Sequence, residues 1–436
     1  MNKRVTTLTS LDAQLTPPGD KSIAHRAVIL NSFAEGKARI THFCGGDDCL
    51  STIRCVRAMG ARISRSPIRP DTIDVFGVGP AGFQEPDNVL NAGNSGTTTR
   101  LLSGLLCGQP FLSVMTGDAS LRSRPMGRVI KPLRLMGADV VGRKGGTCAP
   151  IVIKGGGIHG VDYALPEPSA QVKSALILAG LFADGNTCIE EPAPTRDHTE
   201  RMLQYMGAPI KRHGSIVTVS RPPRALRAVS IDVPGDISAA AYWLVAGVIH
   251  PDARVVIRDC GVNPTRTGII DILRGMGARV TLTIKEVGGP EPVADVIVES
   301  ASLKGILLEG DVIVRAIDEV PILAVAACFA SGKTVIRSAQ ELRVKETDRI
   351  TQTVRELSRM GARIEELPDG MIIEGVGKLN GAEVDSHGDH RLAMSLAIAG
   401  LVAAGTTVIK GAEAASISYP EFWEHLDTVI AGRRLK

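Results

Sequence analysis

The sequence predicts a two-domain α/β protein built from six strand-and-helix repeats, three to a domain, around buried helices. Three observations carry this expectation. A chain of 436 residues exceeds what one hydrophobic core ordinarily serves. Five amphipathic stretches end alike, at Met59-Gly60-Ala61, Met136-Gly137-Ala138, Met206-Gly207-Ala208, Met276-Gly277-Ala278 and Met360-Gly361-Ala362, each ahead of a β-rich segment. A second element also recurs: a start rich in Gly, Asp, Asn or Pro leads into a small-residue apolar segment. These starts fall at Asp20, Asn94, Pro168, Asp236, Asp318 and Asp389, 68 to 82 residues apart. Self-similarity at such a period is the signature of a repeat architecture.

In each Met-Gly-Ala triplet the glycine reads as a helix C-terminal stop before a strand. The segments that follow the second kind of start, such as residues 27–30 and 393–401, are apolar on most sides. Helices of that kind pack inside a domain. A turn and a strand come next, as in Ala34-Glu35-Gly36-Lys37-Ala38-Arg39-Ile40 and Ala330-Ser331-Gly332-Lys333-Thr334-Val335-Ile336. Each repeat therefore reads as strand, buried helix, strand, surface helix, strand. Near-copies 216 residues apart, Pro18-Gly19-Asp20-Lys21-Ser22 and Pro234-Gly235-Asp236-Ile237-Ser238, mark strand-to-helix crossings between two globular halves. One domain then covers residues 20–238 and the other 1–19 with 239–436, the N-terminal strand belonging with the C-terminal half.

Composition narrows the function. Aromatic residues make up only 3% of the chain, too few for a base-stacking surface, which excludes nucleic acid as a partner. With 50 Lys and Arg against 46 Asp and Glu, attraction for anions must come from local clustering. The first 16 residues read neither as a signal nor as a transit peptide, and no apolar run approaches the ~18 residues of a membrane span. The cytoplasm is the expected location, with no membrane partner. None of the eight cysteines has Cys-x-x-Cys spacing, so reduced core thiols are expected, with no metal, no cofactor and no disulfide. Three short motifs carry no chemistry. Gly155-Gly156-Gly157-Ile158-His159-Gly160 opens no helix, Gly332-Lys333-Thr334 lacks the first P-loop glycine, and His387-Gly388-Asp389-His390 has no companion ligands.

Buried helices whose N-termini face an interdomain cleft would present free N–H groups and positive dipole ends to an anion. The residues at those starts are Lys21-Ser22 with Arg26, Asn94-Ser95-Gly96-Thr97 with Arg100, Ser169-Ala170-Gln171, Asp318-Glu319 and Asp389-His390-Arg391. Surface elements add Arg122, Arg124, Arg196, Lys345, Glu346 and Arg349. Cations at equivalent places in a repeat point to an anionic ligand, and a mere anion binder has no use for carboxylates among them.

The segments Pro18-Gly19-Asp20-Lys21-Ser22-Ile23-Ala24-His25-Arg26, Gly93-Asn94-Ser95-Gly96-Thr97, Arg124-Pro125, Leu342-Arg343-Val344-Lys345-Glu346-Thr347-Asp348-Arg349 and Asp389-His390-Arg391-Leu392-Ala393-Met394 resemble, in order, the signature segments of 5-enolpyruvylshikimate-3-phosphate (EPSP) synthases. The resemblance spans residues 18–394. It implies two domains, each an inside-out α/β barrel of three repeats, closing on substrate. It also implies transfer of the enolpyruvyl (carboxyvinyl) group of phosphoenolpyruvate to the 5-hydroxyl of shikimate 3-phosphate, with release of phosphate. That reaction lies on the shikimate pathway to chorismate and the aromatic amino acids.

Carried over by motif, shikimate 3-phosphate is expected to meet Lys21, Ser22, Arg26, Ser169, Ala170, Gln171, Asp318 and Lys345. Phosphoenolpyruvate is expected to meet Lys21, Gly96, Arg124, Gln171, Arg349 and Arg391. Bidentate Arg contacts and Lys point charges suit ligands bearing phosphate and carboxylate. Asp318 is the expected base for the hydroxyl, Glu346 the expected acid toward the methylene carbon, and Lys21 a proton shuttle or charge stabiliser. The resemblance further implies a monomer acting on two small molecules, inhibited by glyphosate in the phosphoenolpyruvate site.

Two departures tie the chain to the second branch of that family. Ser169-Ala170-Gln171 stands where the better-known branch has Ser-Ser-Gln, and Ile417-Ser418-Tyr419-Pro420 lacks that branch's lysine. With Thr195-Arg196-Asp197-His198, they make Arg196 the expected replacement for the lost phosphate contact. Two rival readings fare worse. The related transferase acting on UDP-N-acetylglucosamine carries Lys-Asn at the first helix start and a reactive Cys before Arg-Pro. Here Lys21-Ser22 is present and residues 118–125 contain no Cys. A non-catalytic anion-binding repeat protein would not keep Asp318, Glu346 and Lys21 together.

Overall fold

The computed structural model describes residues 1–431; the end of the expected C-terminal-half domain, 432–436, lies outside the described residues. The chain divides into two compact units. One comprises Met1–Pro18, Pro234–Val287 and the chain from Pro292 onward; the other comprises Gly19–Val233 with Gly288–Glu291. Each has its own apolar core.

The six interior helices are α1 (Lys21–Phe33), α2 (Gly96–Cys107), α3 (Ala170–Gly180), α4 (Ile237–Ile249), α5 (Val320–Cys328) and α6 (His390–Val402). All are buried on nearly every side, as their small apolar sequences require. Small residues let them approach closely: a Cβ on Gly104 of α2 would fall 2.0 Å from the Ala175 carbonyl oxygen on α3. Asp20, Ser95, Ser169, Asp236 and Asp389 cap five of these helices, each side chain accepting a first-turn backbone N–H. Two of the caps, Ser95 and Ser169, lie one residue beyond the expected starts at Asn94 and Pro168. The fifth helix is different: Asp318 sits in a 3-10 turn, Ile317–Glu319, and no side chain caps α5.

All five Met-Gly-Ala triplets end a surface helix in the same way. Each glycine has positive φ, from +83° at Gly207 to +103° at Gly277. At the first, Gly60 N–H donates to the Arg57 carbonyl and Ala61 N–H to that of Val56, the two bonds of a Schellman turn, and the other four repeat both. A Cβ at Gly207 would meet no heavy atom within 4 Å, so Gly207→Ala isolates the conformational penalty. Chemical denaturation should show a loss of roughly 1–2 kcal/mol; unchanged stability would mean that the left-handed turn does not demand glycine.

The repeat contains one more strand than the sequence reading allowed. In the second repeat, Leu90–Asn91 runs parallel to Leu112–Thr116, which pairs antiparallel with Cys148–Lys154, itself antiparallel to Asp139–Gly142. The final hairpin looked like a single strand because the turn at residues 143–147 is short. Each unit holds three such sheets; five sheets have four strands and one has three. The strands leading into α1 and α4 are exchanged. Leu11–Leu15, ahead of α1, pairs with Ala253–Gly261, whereas Ile231–Asp232, ahead of α4, pairs with Glu35–Thr41. That exchange makes one unit discontinuous in sequence. No helix among the described residues is long and apolar enough to cross a membrane.

Candidate active site

In the unit built on residues 19–233, hydroxyl chains and amides tie together three helix N-termini. His25 Nδ1 lies 2.6 Å from Thr52 Oγ1, which is 2.7 Å from Thr98 Oγ1 on α2, itself 2.7 Å from the Ser95 hydroxyl. Between α2 and α3, Gln171 Nε2 donates to Thr97 Oγ1 at 3.0 Å while Arg100 Nη1 donates to Gln171 Oε1. Lys21, the first residue of α1, donates to Asp48 Oδ2 at 3.1 Å. Asp48 opens the surface helix Asp47–Ala58 and is buried.

Arg26 is buried one turn further on. Its Nε donates to Thr199 Oγ1 at 2.7 Å, its Nη2 to Ser174 Oγ at 2.9 Å, and its Nη1 to the Ser22 carbonyl at 2.9 Å. Burial lowers its pKa to about 10; the Arg196 charge adds to that effect, while Glu200 and Asp20 oppose it. Burial, then Lys21 and Arg26, hold His25 well below its ordinary value, so it stays neutral. Arg196 itself is half-buried, just ahead of the helix His198–Tyr205.

Gly96 begins α2, beside two guanidinium groups. A Cβ there would lie 2.9 Å from Arg100 Nη1 and 3.3 Å from Arg124 Nη1. Arg124 donates from Nη1 to the Asn94 carbonyl at 3.1 Å, and from Nη2 to Asn94 Oδ1 at 2.5 Å and Ser120 Oγ at 3.2 Å. The N-terminus of α2 is therefore flanked by positive charge with no side chain in between.

The other unit gathers carboxylates around arginines. Arg349, 1% exposed, faces three of them: Nε donates to Asp389 Oδ2 at 2.7 Å, Nη2 to Glu346 Oε2 at 2.5 Å, and Nη1 to Asp318 Oδ1 at 3.4 Å. Arg391 reaches Asp318 Oδ2 at 3.5 Å and Glu319 Oε1 at 3.7 Å. Burial alone would lower the pKa of both arginines, but the carboxylates outweigh it and raise them. Behind them, Glu319 accepts from the Ser238 hydroxyl, and Arg266 Nη2 donates to Ser238 Oγ at 2.7 Å and Asp236 Oδ1 at 3.2 Å. Asp318, Glu346, Arg349 and Arg391 thus form one cluster. Lys345 stands apart from it, paired with Glu341 at 3.2 Å.

Sequence reasoning missed Asp48 and Arg266 as members of these networks, and Lys173, which is buried between Glu191 and Glu200. Glu319 was singled out with Asp318 at its helix start but given no role; Lys173 and Arg266 had no signal. Of the discounted motifs, Gly155 to Gly160 leads into a short strand, Asp162–Ala164, and His387 Nε2 is taken by Glu356 at 2.9 Å. Seven cysteines are buried and Cys188 is partly so. No cluster among the described residues could hold a metal ion.

Two α/β units of three repeats, with cations and ionisable carboxylates at interior helix starts, make an α/β repeat protein suited to anionic ligands. The family model described as EPSP synthase (3-phosphoshikimate 1-carboxyvinyltransferase) matches residues 5–426. A 3-phosphoshikimate 1-carboxyvinyltransferase from Desulforudis audaxviator is 51% identical over 98% of this chain and 99% of its own length. One from Herpetosiphon aurantiacus is 52% identical over 98% of each. The solved EPSP synthase of Acinetobacter baumannii superimposes with a TM-score of 0.87 at 43% identity, covering 98% of both chains. The chain belongs to the EPSP synthase family.

Proposed function

We propose that the chain carries out its family's reaction with Asp318 as base, Glu346 as acid and Lys21 as the cation that shuttles a proton or stabilises charge. The observation that carries the assignment is Asp318 bridging two buried arginines, one of which also holds Glu346. Both carboxylates are therefore within reach of the groups that suit an anionic substrate. The phosphoenolpyruvate carboxylate takes over on Arg349 and Arg391, and the two side-chain carboxylates are released for proton transfer. Asp318 accepts the 5-hydroxyl proton as that oxygen bonds to C2, and C3 receives a proton from Glu346 or Lys21. The C2–O bond to phosphate then breaks and C3 gives up a proton, which restores the vinyl group. Arg124, Gly96 and Gln171 complete the phosphoenolpyruvate set. Ser22, Arg26, Ser169, Ala170, Arg196 and Lys345 hold shikimate 3-phosphate, with Gln171 shared. In this reading the enzyme is a cytoplasmic monomer acting on two small molecules.

Phosphate release should require both substrates together and survive a chelator. Release supported by UDP-N-acetylglucosamine in place of shikimate 3-phosphate would overturn the assignment.

The same reading makes glyphosate a competitor of phosphoenolpyruvate and gives Gly96 control over it. A methyl group at Gly96 presses on the ends of two flexible arginines, which can yield, so the fold tolerates it. The methyl group would itself shorten the proposed phosphoenolpyruvate site and crowd glyphosate, slightly the longer of the two ligands, more than the substrate. An overpacking penalty of roughly 1–3 kcal/mol corresponds to about 5- to 150-fold weaker inhibition of Gly96→Ala. Inhibition constants at varied phosphoenolpyruvate decide this; an alanine variant inhibited as strongly as its parent counts against control by Gly96.

A further inference from the structure

We infer that Lys173, which none of the roles above uses, is a positioning residue for Arg196. Lys173 lies on α3, one turn from Ser169, and its side chain is fully buried. Its ammonium group sits 2.6 Å from Glu200 Oε1 and 3.0 Å from Glu191 Oε1, and donates to the Thr195 carbonyl at 3.5 Å. Glu191 Oε1 also accepts from Thr195 N–H at 3.2 Å and from the Thr195 hydroxyl. Its other oxygen meets Arg212 Nη1 at 3.1 Å.

The polar groups of Thr195, immediately before Arg196, are thus all fastened to this cluster. Lys173 and Arg212 balance Glu191 and Glu200, so the cluster is neutral and can stay buried. The next residues along the same two helices complete a second contact. Ser174 Oγ lies 2.7 Å from Thr199 Oγ1, and both hydroxyls accept from Arg26. Lys173-Ser174 and Thr199-Glu200 therefore fix Arg196 and Arg26 to the same two helices. Arg196 is close enough for its charge to act on Arg26. Like charges at that range repel each other, and a phosphate dianion is the ligand that gains from both.

The inference rests on the reading of Arg196 as a phosphate contact. Steady-state kinetics on the full chain separates the two ideas. Lys173→Met with Glu200→Gln removes the ammonium group that ties Glu191 and the Thr195 carbonyl together, and leaves Glu191 paired with Arg212, without an uncompensated charge. Thr195→Val is the milder variant, expected to fold in any case, and deletes only the hydroxyl tie to Glu191. The clamp variants should raise KM for shikimate 3-phosphate about 5- to 50-fold, with kcat and KM for phosphoenolpyruvate within about twofold of wild type. Combination with Arg196→Ala should add little, because both changes remove the same contact. A raised KM in Arg196→Ala but normal KM in folded clamp variants, or fully additive effects, overturns the positioning role and leaves the Arg196 contact standing. An unchanged KM in Arg196→Ala overturns both.

Discussion

Arg349→Met is expected to unfold at markedly lower denaturant and to lose activity. The guanidinium group is 1% exposed and faces Asp389, Glu346 and Asp318. Methionine keeps the unbranched stem but ends level with Nε, so the main cost is electrostatic: three carboxylates remain around an apolar side chain. The Asp389 side chain is fully buried and has its strongest ionic contact at 2.7 Å taken away. Breaking a buried ion pair by removing one partner costs about 3–5 kcal/mol, to be read from chemical denaturation. A loss under about 1 kcal/mol would mean that water or rearrangement serves these carboxylates.

Asp318→Asn should behave in the opposite way, with stability nearly kept and catalysis gone. The amide keeps the shape, and its one oxygen can still accept from either Arg349 or Arg391, while the group loses the ability to take a proton. A positioned acid or base contributes about 10²–10⁴-fold, and that is the expected fall in kcat at saturating substrates. Arg349 keeps Glu346 and Asp389, and Arg391 keeps Glu319, which limits the stability cost of removing the Asp318 charge. If Asp318→Asn and Glu346→Gln both retain near-normal kcat, the proton-transfer roles belong to other groups.

Much of the architecture was legible because repetition amplifies weak local signals. A single Met-Gly-Ala triplet says little; five at equivalent places, each ahead of a strand, fix the helix ends, and all five glycines have positive φ. Interior helices were legible because a segment such as Ile237–Ile249 has no polar face to turn outward. Cap positions were less secure. Ser95 and Ser169 cap because each hydroxyl accepts from the N–H three residues on, while Asn94 is engaged by Arg124 and Asp118 and Pro168 offers no such group. The departure at Asp318 reflects a helix that begins through a 3-10 turn, for which no capping residue announces the start.

The site was legible where residues sit at helix starts and illegible where they support from behind. Lys21, Gly96, Gln171 and Arg391 occupy the first turns of α1, α2, α3 and α6. Lys173 and Arg266 were invisible because a lone Lys or Arg in a sequence is ordinarily a solvated side chain. Only burial against Glu191 and Glu200, or against Asp236 and Ser238, reveals their work. Lys345 shows the converse: its motif neighbours Glu346 and Arg349 join the cluster, whereas its own side chain turns to Glu341.

The strand Asn2–Thr6 pairs antiparallel with Thr406–Lys410, so a segment made early finds its neighbour some four hundred residues later. The sheet also needs Glu383–Asp385, on the far side of Thr406–Lys410. Until those residues emerge, the leading strand has an unpaired edge and Val5 lacks its place in the core. The segment Gly19–Val233, by contrast, contains all the strands of its three sheets, and only Gly288–Glu291 of its unit come later. Biosynthesis therefore imposes an order: one half can mature while the other keeps its opening strand waiting through some four hundred residues of translation.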